Sequence, residues 1–377
     1  RATMSWAKAA SYRQVENNMF DHLALWTWPG AIRSENPQRL ADRCRAAQID
    51  IIIPYICRRG GTKWVDGKEV IDFPQYEDNL QKIVAEAHRQ GLKVHGCFDE
   101  MNISPHMPAK VQALTQVRQD GTPASVLCPG NPAAVEYILG ELRRVMTEFD
   151  YDGINLEDGY IFNPNTIYDP AHQIGAQFRS IPVCYCDWCK AHAPIDKPEW
   201  VAWRQEALTN LVVKMADLVR KLKPGAPFSA AARMPYQREF YKPFQAEVPY
   251  FDGWNFCQSR DGMMADWAQW YKRGALDFAC PMTYYHDTRI VELQTQECRQ
   301  LVANANDKIW MGLALGTSTA EYSFGATKHN PAFLSNAGRL TEQLELLQRL
   351  GQKNCVFFSY GSMNDEHIPV LARFRKV

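Results

Sequence analysis

Eight short apolar segments, each followed by a longer amphipathic stretch, recur along the 377-residue chain. A short apolar run is typical of a buried strand, whereas apolar residues spaced by three and four are typical of a helix. Strands that alternate with helices predict βα units around a parallel sheet. The predicted strands are Leu23–Trp28, Ile51–Ile56, Lys93–Phe98, Gly153–Glu157, Pro227–Arg233, Asp277–Met282, Ile309–Leu315 and Cys355–Tyr360.

Eight βα units predict a (β/α)8 TIM barrel with enlarged loops. The minimal barrel needs about 250 residues, so the 377 residues of this chain leave a surplus. The surplus follows the fourth and fifth predicted strands, over residues 160–195 and 234–261. Both loops then lie at the face where barrel enzymes carry their sites. Because no repeat, low-complexity tract or linker interrupts the pattern, we expect a single domain over residues 1–377.

The charges of the chain balance, with 42 basic and 42 acidic residues. A balanced chain lacks the general field that holds nucleic acid or an anionic membrane, so neither is an expected partner. No apolar run approaches membrane-spanning length. No G-x-S-x-G or H-E-x-x-H motif occurs, so serine-hydrolase and zincin functions lose their main support. The sequence leaves the oligomeric state open, a homo-oligomer included.

Four cysteines in two places form a candidate zinc site: Cys128, and Cys184, Cys186 and Cys189 in a C-x-C-x-x-C motif. Three thiolates this close in sequence cannot form unstrained mutual disulfides, but with a fourth sulfur they can wrap one tetrahedral metal. Four protein ligands leave no open position, so the zinc would be structural. Disulfides and unrelated thiols are the alternatives. The other seven cysteines, which we expect to be buried small hydrophobes, are Cys44, Cys57, Cys97, Cys257, Cys280, Cys298 and Cys355.

The end of the fourth predicted strand carries two neighbouring acids, Glu157 and Asp158. Side chains alternate along a strand, so Asn155 and Glu157 share one side and Asp158 takes the other. Glu157 could serve as general acid or nucleophile, and the like charge of Asp158 would influence its protonation. The alternative is that one of the two acids caps the following loop.

Further acids are predicted near the same mouth, because the third and sixth strands also end in polar residues. Asp99 and Glu100 follow the third strand, and Asp287 follows the sixth. Cleavage of a glycosidic bond usually needs two carboxyl groups, one that donates a proton and one that acts as nucleophile or activates water. These three acids are therefore candidate partners of Glu157 and Asp158.

Aromatic, arginine and amide side chains near the strand ends are candidates for substrate binding. Aromatic rings can stack against sugars, and the donor fork of arginine suits hydroxyl or carboxylate groups. The alternatives are core packing for the aromatic residues, a structural role for His286, and for the arginines a role in holding the catalytic acids. The candidates are Trp26, Trp28, Tyr55, Arg58, Asn155, Tyr160, Arg233, Tyr284, Tyr285, His286 and Tyr360.

Several segments resemble the bacterial glycosyl-hydrolase-like barrels known as family-10-type glycosylhydrolases. The resemblance runs through most of the chain and rests on residues 152–158 (DGINLED), 222–225 (LKPG), 276–284 (LDFACPMTY) and 356–360 (VFFSY). That family commonly carries Asp-Gly-Ile-x-x-Asp-Asp at the fourth strand, which implies that Glu157 and Asp158 form the acidic pair. This chain has glutamate where the family has the first aspartate.

A second, local resemblance is to the zinc-containing β-galactosidases. Their metal ligands match Cys128, Cys184, Cys186 and Cys189, which implies a structural zinc here. Their nucleophile should stand at the seventh strand, where residues 313–316 (LALG) offer no acid. The resemblance therefore implies the metal site and not the galactosidase chemistry.

We expect a glycoside hydrolase that cleaves an oligo- or polysaccharide by paired-carboxylate acid/base catalysis. A non-catalytic carbohydrate-binding barrel is one alternative, which the missing acid at the seventh strand favours. A lyase acting on acidic sugars is the other, with Arg58 or Arg233 to neutralise a uronate. A glycan substrate and a chain that starts at Arg1 favour a secreted or periplasmic protein, whereas unpaired cysteines favour a reducing compartment.

Overall fold

Eight parallel strands form a barrel in the computed structural model, which describes residues 19–56, 62–65, 68–71, 73–103, 107–162, 183–247, 259–260, 262–285, 287–316 and 337–376. Each predicted strand is confirmed, with bounds that differ by a few residues. In chain order the barrel strands are β1 His22–Thr27, β2 Ile51–Ile56, β3 Lys93–Phe98, β4 Gly153–Leu156, β5 Phe228–Ala232, β6 Phe278–Pro281, β7 Met311–Ala314 and β8 Asn354–Phe358.

The strands follow one another around the barrel in chain order. β1 to β6 pair successively, β7 pairs with β8, and β8 pairs with β1. Parallel bridges between Ala279 and Ile309 and between Met282 and Gly312 join β6 to β7 and close the ring. The predicted (β/α)8 TIM barrel is thus confirmed.

Helices of the outer ring follow the strands, and two short antiparallel hairpins lie between strands, at Thr62–Val65 with Lys68–Ile71 and at Thr115–Val117 with Pro123–Leu127. Among the described residues, none of these helices combines the length and apolar character that a membrane crossing requires. The α-helices are Pro29–Ser34, Pro37–Ala46, Phe73–Arg89, Ala109–Gln112, Pro132–Glu148, Asp187–His192, Trp200–Leu222, Arg238–Tyr241, Trp267–Lys272, Thr288–Leu301, Ala305–Lys308, Ala337–Arg349 and His367–Phe374.

The surplus length lies where the sequence predicts it. Residues 157–199 separate β4 from its long outer helix, and residues 233–266 separate β5 from the helix Trp267–Lys272. Both segments leave the carboxyl ends of their strands, which is the face where barrel enzymes carry their sites. The enlarged loops after the fourth and fifth strands are therefore confirmed.

A hydrogen-bonded polar layer crosses the barrel interior below the mouth. The indole Nε1 of Trp26 donates to Asn155 Oδ1 at 3.0 Å, and Asn155 Nδ2 donates to Ser229 Oγ at 2.9 Å. All three side chains are buried. A buried amide needs its partners, so this layer fixes how β1, β4 and β5 face one another. Trp26 and Asn155, which the sequence nominates for substrate binding, lie in this core.

Five of the seven single cysteines are described, and each is a buried free thiol, as predicted: Cys44, Cys97, Cys280, Cys298 and Cys355. Cys57 and Cys257 lie outside the described residues.

Candidate active site at the barrel mouth

Three carboxylates and one arginine meet at the carboxyl ends of β3, β4 and β5. Asp99 follows β3, Glu157 and Asp158 follow β4, and Arg233 follows β5. Arg233 Nη2 lies 2.8 Å from Asp158 Oδ2, and the backbone N–H of Gly159 donates to Glu157 Oε2 at 2.7 Å. The structure thus brings together the acidic pair of the fourth strand and one acid of the third.

Gly159 shows how tightly these acids are packed. A methyl group on its Cα would lie 2.2 Å from Asn102 Nδ2, 2.7 Å from Asp99 Oδ1 and 3.2 Å from Glu157 Oε2. Because both carboxylate oxygens are that close to one point, they lie less than about 6 Å apart. Asn102 and Gly159 were not predicted from the sequence. Both residues lie within three positions of a strand-end acid in the chain, and this proximity could have identified them.

The environment of Glu157 favours its protonated form. Burial raises the pKa of Glu157 well above its usual range, and the nearby charges of Asp158 and Asp99 raise it further, while Arg233 acts in the opposite direction. Burial also raises the pKa of Asp99, against the hydrogen bonds from Tyr55 and Asn102. A carboxyl group that keeps its proton near neutral pH can act as a general acid.

Exposure separates the three acids. Asp99 is only 2% exposed, and its oxygens accept hydrogen bonds from Tyr55 Oη at 2.7 Å and from Asn102 Nδ2 at 3.1 Å. Glu157 and Asp158 remain partly exposed. By distance alone, Asp99 would be the partner of Glu157. Asp99 is covered, however, and a covered carboxylate cannot touch a ligand. Glu157 and Asp158 are the acids that face the mouth.

The other two predicted acids lie in different surroundings. Glu100 is 2% exposed and therefore covered. Asp287 caps the helix Thr288–Leu301, where its Oδ1 accepts from the backbone N–H of Arg289 at 2.8 Å and its Oδ2 lies 2.7 Å from the Arg289 guanidinium. The Asp287 carboxylate thus caps a helix and pairs with an arginine. It lies at that helix end and is not among the contacts described around Glu157.

An aromatic wall lines the same end of the barrel. The ring of Trp28 lies 4.6 Å from that of Tyr55 and 5.2 Å from that of Phe358, and the ring of Tyr284 lies 5.4 Å from Phe358. Trp28 and Tyr284 are partly exposed, so they are the described candidates for stacking on a sugar. Phe358 was not predicted, although it ends the eighth strand of the barrel.

The remaining predicted binding residues divide between the core and parts of the chain that are not described. Tyr160, Tyr285 and Tyr360 are each at most 5% exposed, and the hydroxyl of Tyr360 donates to Glu35 at 3.0 Å. Core packing accounts for these three. Arg58 and His286 lie outside the described residues.

The four cysteines of the candidate zinc site do come together. Their sulfur atoms all lie within 4.8 Å of one another, and all four residues are buried. Cys128 Sγ is 3.5 Å from Cys189 Sγ and 3.9 Å from Cys186 Sγ. Four sulfurs at about 2.3 Å from a tetrahedral zinc would be about 3.8 Å apart, so the cluster fits that metal.

The cysteine cluster joins three segments near the mouth. The backbone N–H of Val117, in the hairpin after β3, donates to Cys184 Sγ at 3.2 Å. Cys128 follows that hairpin, whereas Cys184 and Cys186 belong to the loop after β4. Arg204, on the long helix Trp200–Leu222, donates from Nη1 to the carbonyl oxygen of Val183 at 3.2 Å. The cluster therefore ties the loops after β3 and β4 to the outer helix.

A (β/α)8 barrel with grouped carboxylates and aromatic rings at the carboxyl ends of its strands has the architecture of the glycosyl-hydrolase-like barrels. Residues 61–334 match the family described as Glycosyl hydrolase-like 10. The chain belongs to that family, and the resemblance to family-10-type glycosylhydrolases is thereby confirmed.

Curated relatives of the chain are named as glycosyl hydrolases. The chain is 23% identical over 299 residues to Glycosyl hydrolase DigH of Escherichia coli strain K12, an alignment that covers 71% of this chain and 60% of that protein. DigH of Shigella flexneri matches with the same identity and coverage. The chain thus spans about 60% of the length of the curated relatives it matches.

Solved structures share the fold at low sequence identity. The PgaB (BpsB) glycoside hydrolase domain from Bordetella bronchiseptica matches with a TM-score of 0.63 and 11% identity, over 95% of this chain and 99% of that one. The β-galactosidase from Halorubrum lacusprofundi matches with a TM-score of 0.60 and 11% identity, over 93% of this chain and 57% of that one. At such identities the likeness concerns the fold alone.

Proposed function

We propose that this protein hydrolyses glycosidic bonds in an oligo- or polysaccharide, with Glu157 as the proton donor and Asp158 as the second carboxylate. The observation that carries the proposal is the pairing of two partly exposed acids in different surroundings. Glu157 lies beside acids whose charges raise its pKa, while Asp158 is held against the guanidinium of Arg233 at 2.8 Å. Two carboxyl groups whose environments differ in this way are the usual mark of an acid/base pair.

The reaction follows from these roles. Glu157 gives its proton to the glycosidic oxygen, which leaves with the electrons of the broken C–O bond. The Asp158 carboxylate faces the positive charge that develops on the sugar ring. Water then supplies a hydroxyl group to the anomeric carbon, and its remaining proton returns to Glu157. The nearby Asp99 adds to the rise in the pKa of Glu157 and so helps Glu157 to hold its proton.

The experiment is a screen of the purified protein against chromogenic glycosides and cell-wall polysaccharides, followed by two isosteric variants. On an oligo- or polysaccharide, whose leaving oxygen needs a proton, Glu157→Gln and Asp158→Asn should each lower kcat by about 10²-fold or more, without loss of the folded state. Asp365→Asn is the matched control, because Asp365 is an exposed carboxylate that pairs with Arg43. Full activity of both variants on a glycan that the wild type cleaves would overturn the assignment.

The binding-only alternative has a distinct outcome in the same screen. A carbohydrate-binding barrel would bind a polysaccharide in calorimetry and release no reducing ends. In the described part of the chain, β7 is followed by Leu315 and Gly316, so no acid stands there. This absence is the observation that keeps binding without hydrolysis as the second candidate.

The charge of the mouth speaks against a lyase acting on acidic sugars. A lyase would need Arg233 to neutralise a uronate, but the guanidinium of Arg233 already pairs with Asp158. A uronate beside the Asp158 carboxylate would meet a like charge, which repels it. A lyase would leave an unsaturated product that absorbs ultraviolet light, which distinguishes it from a hydrolase.

The second part of the proposal is a structural zinc held by Cys128, Cys184, Cys186 and Cys189. The sulfur spacing supports it, and when bound the metal supplies a four-way cross-link with no open coordination position. Elemental analysis of protein purified without chelator should find about one zinc per chain. A cluster that held two disulfides instead would contain no zinc and would lose four reactive thiols.

A further inference from the structure

Arg204 is a buried arginine whose described partners include no carboxylate. The residue is 5% exposed. Its Nη1 donates to the carbonyl of Val183 at 3.2 Å, its Nε donates to the carbonyl of Trp200 at 3.4 Å, and its guanidinium lies 4.4 Å from the centre of the Trp200 ring. A guanidinium stays charged in a protein, and a buried charge without an opposite charge is costly.

The position of Arg204 indicates where its negative partner lies. Val183, which accepts from Arg204, directly precedes Cys184 in the chain. The guanidinium therefore bonds to the residue that adjoins a cysteine of the cluster. Within the described part of the chain, four neutral thiols would leave this cation without compensation, whereas four thiolates around one divalent metal carry a net charge of −2.

We infer that Arg204 is the counter-cation of a metal–thiolate centre and raises the affinity of the four cysteines for a divalent metal. The inference rests on the proposed zinc site, and it assigns to the outer helix a part in metal binding that the ligands alone do not reveal. Arg204 acts through charge and by holding the Val183 carbonyl, so it is a positioning residue and not a ligand. Groups of this kind next to a metal site commonly change metal affinity 10- to 100-fold.

Two substitutions of Arg204 separate the effect of its charge from the effect of its hydrogen-bonding fork. Arg204→Met removes the charge and keeps most of the apolar stem, whereas Arg204→Lys keeps the charge and loses the fork that bonds two carbonyls. Competition for Zn²⁺ against a chromogenic chelator measures affinity directly. We expect Arg204→Met to weaken zinc binding at least about tenfold and Arg204→Lys to weaken it only a few-fold.

Arg144 offers a matched control. It is a part-buried arginine on the helix Pro132–Glu148, and its partners are the carboxylates of Glu77, Glu141 and Glu148. Arg144→Met should lower Tm because it leaves those acids uncompensated, yet it should leave zinc affinity unchanged. This control separates general destabilisation from a specific effect on the metal centre.

Thermal unfolding gives a second readout whose sign depends on the metal. In the zinc-loaded protein, Arg204→Met should lower Tm, because the negative centre loses its counter-cation. After removal of zinc under reducing conditions, the same substitution should leave Tm unchanged or raise it, because the buried cation then has no anion to balance. A purely structural role would lower Tm equally in both states.

The outcomes are distinguishable. Equal zinc affinity of wild type and Arg204→Met, or an equal loss of Tm with and without zinc, would overturn the inference and leave the zinc site intact. A wild type that binds no Zn²⁺ would overturn the zinc proposal and this inference together. Neither result bears on the roles of Glu157 and Asp158, which hydrolysis assays test separately.

Discussion

Glu157 and Asp158 are neighbours in sequence, and their surroundings give them different chemistry. Glu157 accepts a hydrogen bond from the Gly159 N–H and sits among acids that favour its protonated form. Asp158 instead pairs with Arg233. Polar residues that follow the strands of a barrel lie at its mouth, so the sequence predicts that both acids lie there. It cannot predict which one meets an arginine, because Arg233 arrives from β5, far along the chain.

Arg233 provides a test of this electrostatic arrangement. The proton donor must be protonated, so activity should fall as pH rises through the raised pKa of Glu157. Arg233 opposes that rise, and removing its charge should therefore raise the pKa further. We expect Arg233→Met to lower kcat/KM and to move the alkaline limb of the pH profile to higher pH.

Arg289→Met is the matched control for this pH profile, because Arg289 forms a comparable pair with Asp287 at a helix end. The control should leave the alkaline limb in place. An alkaline limb of Arg233→Met that stays at the wild-type position or moves to lower pH would contradict the assigned role of Arg233.

Gly159 makes the close approach of the acids possible, so its substitution should disrupt them. The new methyl group of Gly159→Ala would lie 2.2 Å from Asn102 Nδ2 and 2.7 Å from Asp99 Oδ1. We expect a loss of about 1–3 kcal/mol in the free energy of unfolding and a large loss of kcat. Urea unfolding and kinetics measure the two effects.

Gly140→Ala is the control for the glycine substitution. Gly140 lies inside the helix Pro132–Glu148, and a methyl group there would meet nothing within 4 Å. It should stabilise the protein by up to about 1 kcal/mol, because alanine favours the helix. Unchanged activity in Gly159→Ala would show that the acids need not pack this closely.

At the scale of elements, contacts from β2 and from the loop after β3 cover one of the strand-end acids, Asp99. Asn102, in the loop after β3, covers Asp99 from one side, and Tyr55, near the end of β2, covers it from the other. The sequence predicts Asp99 as a strand-end acid but gives no sign that it is buried. Burial there depends on contacts between the loop after β3 and a side chain of β2, which hydrophobic periodicity does not encode.

Asp287 shows that an acid after a strand can cap the next helix instead of taking part in catalysis. Its carboxylate caps the helix Thr288–Leu301, so Asp287→Ala should cost about 1 kcal/mol of unfolding free energy. Asp287→Asn keeps an oxygen for the cap and should cost only a few tenths. Chemical denaturation measures both. A loss of kcat in Asp287→Asn comparable with that of Glu157→Gln would instead give Asp287 a catalytic part.

At the scale of the whole molecule, the alternation of apolar segments and amphipathic stretches predicts the barrel. Gly91 shows why the pattern is readable: the helix Phe73–Arg89 stops just before it, and its positive φ of 76° suits glycine. The zinc-type cysteine pattern likewise predicts which distant segments meet. Thiols can be predicted to cluster from their spacing alone, but the buried countercharge of Arg204 becomes visible only once the outer helix is in place.

The central claim, that Glu157 protonates the leaving oxygen, is tested most directly by changing the leaving group. On a dinitrophenyl glycoside of the sugar that the screen identifies, the departing phenolate needs no proton. Glu157→Gln should then keep most of the wild-type rate of bond cleavage. On the natural oligosaccharide the same variant should lose about 10²- to 10⁴-fold. Equal losses on both substrates, or no loss on the oligosaccharide, would contradict the account.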